Sequence, residues 1–320
     1  MARFAVRRLL GLVAVLFFVS VLLFVVFTVL PAQNPAQQLA GKNSTPQLVA
    51  SIEEEWGFND SVPEQYLSMM GKVLTGELVS YRPEVNVLEQ IVERVPATLS
   101  LSVGAAVIWL VFGLLLGYLS AVHAGGWLDR LLTGVAIAGI SIPVFLLAPV
   151  LLYFLSYDSG IFPSGGYVPL AEDPWEWFTH LILPWFTLSV LMIGIYGRVL
   201  RSNMLDAMNE DYVRTARAKG LSERRVMTRH VLRNSLIPIV TLFGLDFGAT
   251  IAGTAIITES LYSIDGVGSY AAQATANFEL PPVMGVALYG AFFVVLFNAL
   301  ADVAYAYLDP RVRLGETPQS

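Results

Sequence analysis

The feature that most constrains this chain is a series of long apolar blocks, each divided from the next by a polar or charged stretch. About 20 mostly apolar residues are enough for a helix to cross the roughly 30 Å of hydrocarbon in a bilayer. Six blocks of that kind stand at about 9–30, 98–122, 131–157, 181–200, 236–258 and 283–307. Within lipid, every backbone N–H and C=O must find its partner inside the segment, so each block is expected to be α-helical. The short alternating segments of a membrane barrel do not occur in the sequence. Charged residues make up 14% of the chain, against about 25% in a soluble domain. The expected class is therefore all-α, a polytopic membrane protein with six transmembrane helices.

The first block follows Arg3, Arg7 and Arg8, as a secretory signal would. It is longer than the roughly 7–15 apolar residues of a cleaved signal, and Pro31-Ala32-Gln33-Asn34-Pro35 is a poor cleavage site, so a retained anchor is expected over a cleaved peptide. With the N-terminus inside, fifteen Lys and Arg residues fall on the cytoplasmic side and four outside, namely Lys42, Lys72, Arg82 and Arg94. That bias places both termini in the cytoplasm of a cell-membrane protein. There is no cysteine, and His123, His180 and His230 are scattered, which excludes disulfides and argues against thiolate or histidine-cluster metal sites.

The organisation follows from this. Residues 1–30 form the cytoplasmic N-terminal end and first helix. Residues 31–97 form an extracytoplasmic, mainly helical segment, with helices expected at 46–55, 62–74 and 84–95. Residues 98–307 form a core of five helices that includes a polar loop at 201–236, and 308–320 form a cytoplasmic tail. Trp175, Trp177 and Trp185 suit an interfacial aromatic belt. Gly104, Gly113, Gly117, Gly134 and Gly139 suit close helix approach.

The loop at 201–236 is the most informative stretch. Asn209, Glu210 and Asp211 supply cap and negative charge at a helix start. Lys219 then falls in the last turn, and Gly220 can take the left-handed conformation that ends a helix. Ser222 opens a second helix that runs through Val226, His230 and Asn234 to Pro238. Such a short helix outside the membrane could receive force from a soluble partner. It could equally lie on anionic lipid through its arginines, and the pattern alone leaves the two readings level.

The order of residues separates them. Glu210-Asp211-Tyr212-Val213-Arg214-Thr215-Ala216-Arg217-Ala218-Lys219-Gly220-Leu221-Ser222 resembles the coupling segment of binding-protein-dependent ABC importer permeases. The continuation Arg229-His230-Val231-Leu232-Arg233-Asn234-Ser235-Leu236-Ile237-Pro238 resembles the dipeptide/oligopeptide (and nickel) branch of that family. Val95-Pro96-Ala97-Thr98-Leu99-Ser100-Leu101, Thr258-Glu259-Ser260-Leu261-Tyr262-Ser263 with Gly266-Val267-Gly268, and Asn298 to Tyr305 with Leu308-Asp309-Pro310-Arg311-Val312-Arg313 are similar to further family motifs, so the likeness covers nearly the whole chain. Three outer motifs depart from the family pattern: Gln33-Asn34-Pro35, Gly76-Glu77-Leu78-Val79 and Asp265-Gly266-Val267-Gly268.

The resemblance implies a type I ABC importer permease fold with a cytoplasmic coupling helix. The coupling residues would be Glu210, Asp211, Tyr212, Arg214, Thr215, Ala216, Lys219, Gly220 and Leu221. It also implies a second permease subunit, usually a different chain, two ATPase subunits, an extracytoplasmic solute-binding protein and surrounding membrane lipid, with no nucleic-acid partner. No Gly-x-x-x-x-Gly-Lys-Ser/Thr loop is present, so the chain lacks the phosphate cradle of an ATPase and is not expected to be an enzyme. It is expected to hold no cofactor of its own, ATP and magnesium being bound by the partner subunits. The implied cargo is a di- or oligopeptide, with a nickel complex, an oligosaccharide or glutathione as alternatives.

Asp246 lies in the fifth block. A carboxylate at bilayer depth is costly unless it faces protein or water. It is a candidate pathway residue that meets a cationic group on the cargo, or else a hydrogen-bonding residue of the bundle. Two other classes compete with an ABC permease. An ion-coupled carrier often shows internal repeats, and none relates residues 1–160 to 161–320. An intramembrane enzyme needs a nucleophile–base pair or metal cluster within the spans, and none is visible.

Overall fold

A computed structural model describes residues 2–30, 36–37, 45–81, 84–277 and 279–308. Among the described residues all the extended regular structure is helical, joined by turns and loops, with a single isolated antiparallel bridge between Val79 and Asn86. Gln33-Asn34-Pro35 and the tail from 309 onward lie outside the described residues.

Helix α1 (Ala2–Phe24) runs on through a wide turn at Val25–Val29. Two cap helices follow, α2 (Pro46–Trp56) and α3 (Val62–Thr75), each started by proline near its first turn and ended by a glycine, Gly57 or Gly76, at positive φ. Proline suits the first turn because its missing N–H would be unpaired there in any case. Helix α4 (Val87–Val122) begins at Asn86, whose side chain accepts from Glu89 N–H and donates to the Gly76 carbonyl.

Helix α4 corrects one expectation. The stretch expected as a separate outer helix at 84–95 and the second span are one helix of 36 residues, with Pro96 inside it. The expected division at 97/98 therefore falls within a continuous rod.

The third block corrects another. Helix α5 (Trp127–Ser141) and helix α6 (Val144–Asp158) meet at a bend of 97° where a single span at about 131–157 was expected. Pro143 is the physical reason. It cannot donate a backbone hydrogen bond, and it biases the preceding residue away from helical geometry. Ile142 accordingly sits at φ −85°, ψ 115°, and the Pro143 carbonyl accepts from Leu146 and Leu147 to start the next helix.

Helix α7 (Pro174–Met208) leads to the polar loop, where α8 (Asp211–Ala218) and the helical run α9 (223–235) lie. Helix α10 (Ile237–Thr254) is followed by two short helices, α11 (Ile256–Leu261) and α12 (Val267–Ala276), before α13 (Leu280–Leu308). Among the described residues, five helices are long and apolar enough to cross a membrane, and the bent α5–α6 pair makes a sixth if it is one span.

The main core lies along the contact of α4 with α7. Lipid is as apolar as a leucine side chain, so association of spans rests on close packing and on small residues where backbones meet. A Cβ on Gly117 would stand 2.5 Å from the Gly197 carbonyl oxygen, and one on Gly113 would stand 2.9 Å from Tyr196 Cβ. Gly134 differs from the expectation, because a Cβ there would meet nothing within 4 Å. Trp185 differs as well. It is buried, donates from Nε1 to the Ser100 carbonyl at 2.9 Å, and fills the space that a side chain at Gly104 would need. Of the three tryptophans expected at an interface, Trp175 is the exposed one; Trp177 packs edge-on against Trp185 at 5.0 Å.

Candidate functional site

Helix α8 is short, and most of its surface is uncovered. Glu210 occupies the position before it in extended geometry, and Asp211 lies in its first turn, where a negative charge suits the helix dipole. Val213 and Ala216, three residues apart, are its buried positions. They face the Val226–Leu232 part of α9 and belong to one buried cluster with Val226, Met227, Val231 and, near the end of α7, Met204. Leu221 is half-buried against the same cluster. Glu210, Asp211, Tyr212, Arg214, Thr215 and Lys219 remain exposed, with Tyr212 at 39%. The helix is thus held by one narrow apolar edge and presents a mixed-charge face carrying an exposed aromatic ring.

Polar contacts stiffen both ends. Thr215 Oγ1 donates to the Asp211 carbonyl at 2.9 Å, and Arg214 lies 3.3 Å from the Asp211 carboxylate. Lys219 N–H donates to the Thr215 carbonyl, and Leu221 N–H reaches back to Ala216. Between them Gly220 takes φ +77°, the left-handed geometry in which glycine is least strained. Nothing lies within 4 Å of where its Cβ would be, so the turn needs glycine for its backbone conformation and not for space. Arg217 of α8 pairs with Glu223 of α9 at 2.7 Å, and that guanidinium holds the Glu223 carboxyl below its usual range. The turn between α8 and α9 is therefore tied on both sides.

The sequence-derived coupling residues from Glu210 to Leu221 fall together in this one place. Asp246 lies apart from them, on α10, where it accepts a hydrogen bond from the buried Tyr196 hydroxyl at 2.8 Å. The Trp109 ring lies 6.3 Å from that of Tyr196 and 6.3 Å from that of Phe243, which in turn stacks on Phe247 at 5.3 Å.

Three buried acidic residues that the sequence reading did not single out organise the rest. Asp129 at the start of α5 accepts from Arg201 Nε at 2.7 Å and Nη2 at 2.8 Å, from Ser120 Oγ at 2.5 Å and from Gly125 N–H at 2.9 Å. Glu259 on α11 is fully buried; it accepts from Thr98 Oγ1 at 2.7 Å and from Ser269 N–H at 2.8 Å. Thr98 Oγ1 in turn accepts from Val267 N–H at 2.8 Å, so α4, α11 and the first turn of α12 share one network. Burial pushes the Glu259 carboxyl up, and the donors from Thr98 and the α12 amides pull it part of the way back. Glu279, before α13, accepts from Ser80 of the cap segment. For Glu259 a signal existed: Gly266 and Gly268 lack side chains where the carboxylate lies, 2.4 and 2.8 Å from where their Cβ atoms would be. Among the described residues no group of three or more His, Cys, Asp or Glu side chains could hold a metal ion.

Comparison with known proteins agrees with this architecture. The family described as "Binding-protein-dependent transport system inner membrane component" matches residues 113–314, and the N-terminal component of the same system matches residues 1–102. A probable peptide ABC transporter permease of Sinorhizobium fredii is 36% identical over 98% of this chain and 100% of its own length. A glutathione transport system permease of Escherichia coli is 34% identical over 98% of this chain and 99% of its own. A dipeptide transport system permease of Alkalihalophilus pseudofirmus is 33% identical over 98% and 100% respectively. Among solved structures, an inward-facing MetNI methionine ABC transporter superposes with a TM-score of 0.54 at 17% identity, covering 69% of this chain and 97% of that one, which is a likeness of fold.

Proposed function

This chain belongs to the family of binding-protein-dependent transport system inner membrane components, and from that membership we propose that it is the peptide-conducting permease subunit of an ATP-driven importer. Its assembly would comprise a second permease subunit, two ATPase subunits that bind ATP and magnesium, and a solute-binding protein on the outer face. The N- and C-termini would lie in the cytoplasm. The peptide cargo follows the names of the relatives, with glutathione as the nearest alternative.

The observation that carries this reading is the geometry of α8. A helix of eight residues, anchored by Val213 and Ala216 and braced by Arg217–Glu223, leaves Tyr212, Arg214 and Lys219 uncovered. It is joined directly to α7 on one side and through α9 to α10 on the other. A push delivered to α8 by a closing ATPase pair would therefore move two spans together. Asp246, held by Tyr196, would meet the cationic amino terminus of the peptide as it passes.

The test is uptake into vesicles by the reconstituted complex. Peptide entry that requires ATP and the ATPase subunits, and that is lost when Tyr212 is replaced by Ala, is the expected result. Uptake by this chain with no ATPase subunit present would overturn the proposal.

A further inference from the structure

The cap segment between the first and second spans, with Thr28 at the end of the first span and Pro281 of α13, lines a half-open cavity that no part of the transport mechanism uses. Its volume is about 290 Å³. That is just below the roughly 300–1,000 Å³ of most ligand pockets, and it suits an amino acid or a dipeptide better than a long chain. Three aromatic rings form one wall: Trp56 and Phe58 both stand edge-on to Tyr81, at 4.9 and 5.7 Å. Gln65 stiffens the adjoining turn by donating to the carbonyls of Phe58 and Asp60, at 3.1 and 2.9 Å.

Charges of both signs line the same space. Lys72 Nζ lies over the Trp56 ring at 5.9 Å and forms no ion pair among the described residues. Asp60 contributes a carboxylate to the lining. Burial, with the nearby Glu279 charge adding to it, pushes the Tyr81 phenol well above its ordinary range. Ligand pockets are mostly apolar with a few placed polar groups that fix orientation, and this cavity has that composition.

We propose that the cap cavity binds a small zwitterion, an amino acid or dipeptide, with its carboxylate on Lys72, its ammonium on Asp60 and its apolar side chain against Trp56, Phe58 and Tyr81. The inference deepens the peptide-import reading and rests on the outward placement of the cap that goes with it. An exposed lysine on the face of a tryptophan is an available point charge for a carboxylate. The rings give the side chain a surface that a purely structural ion cluster would not need.

The experiment titrates alanyl-phenylalanine, and separately its C-terminal amide, into the full-length chain in lipid nanodiscs, read by calorimetry. The expected result is saturable binding of the dipeptide and a loss of about tenfold or more for the amide, a free-energy difference of about 1.4 kcal/mol. Lys72→Met should show the same loss with the free dipeptide, and Lys72→Arg should retain most of the affinity. No saturable heat, equal binding of peptide and amide, or wild-type binding by Lys72→Met would each overturn the site. Binding lost in Asp246→Asn but kept in Lys72→Met would overturn it too, by placing the peptide in the bundle. ATP-driven uptake by the whole importer is measured separately. Uptake without cap binding removes this inference alone, and cap binding without peptide uptake removes the cargo reading alone.

Discussion

Arg201 meets Asp129 side-on, Nε to Oδ1 at 2.7 Å and Nη2 to Oδ2 at 2.8 Å, and this fork joins the last third of α7 to the first turn of α5. The Asp129 side chain is 5% exposed and that of Arg201 31%, so the pair is sheltered on the carboxylate side. Ser120 and Gly125 N–H take the remaining lone pairs, which is the condition under which a buried pair holds its geometry. The fork stands at the same end of the bundle as α8, ten residues of α7 and its connection away from Asp211.

Removing one partner should therefore be expensive. Asp129→Asn or Arg201→Met leaves an uncompensated group, with a cost of about 3 kcal/mol, the low end for a buried pair because Arg201 is partly open to solvent. Arg201→Lys should fall between, since a point charge cannot reproduce the planar fork. Thermal unfolding of the detergent-purified chain measures this. An unchanged midpoint for Asp129→Asn would show that the pair contributes nothing to stability.

At Gly220 the prediction separates backbone conformation from space. The left-handed geometry costs a non-glycine residue about 1–2 kcal/mol, and asparagine tolerates it better than most. Because the surroundings are open, Gly220→Asn should keep most of the uptake and ATPase co-purification, whereas the β-branched Gly220→Val should lose both. Equal behaviour of the two variants would mean that φ at this position does not matter to coupling.

Glu259 gives a pH dependence whose sign follows from its raised folded-state pKa. Such a group adds stability that is fully present below its unfolded value, 4.5, and is lost as pH rises through the higher folded value. The stability of the wild type relative to Glu259→Gln should therefore decline as pH is raised above 4.5. A difference that grows with pH would contradict the assignment. Glu259→Ala should be worse than Gln at every pH, because it leaves Ser269 N–H and Thr98 without their acceptor in a buried site.

For Asp246 the discriminating substrates are a peptide with a free amino terminus and its N-acetylated form. Asp246→Asn should lower uptake of the first by about tenfold, a loss of roughly 1.4 kcal/mol of interaction, and leave the second near its wild-type rate. A similar fall for both would assign Asp246 to the packing of α7 against α10 through Tyr196 and not to the pathway.

Much of this molecule is written in local pattern. The apolar blocks specified where helices could cross a membrane, because a span of that composition has no other way to satisfy its backbone in lipid. The bounds of α8 and the turn at Gly220 were also legible, since an acidic start and a glycine stop act within a few residues of the chain. Tertiary structure alone decided the rest. Pro143 stands in the sequence and can interrupt a helix, but that the chain turns through 97° there is seen only in the structure. Trp185 read as an interfacial residue until α4 offered Gly104 as its seat and the Ser100 carbonyl as its acceptor. Glu259 and Asp129 each have one partner far along the chain, Thr98 and Arg201, 161 and 72 residues away, and no local periodicity records a contact of that separation. A buried charge is tolerable only where other elements bring donors to it, so its role is a property of the assembled bundle and not of its own segment.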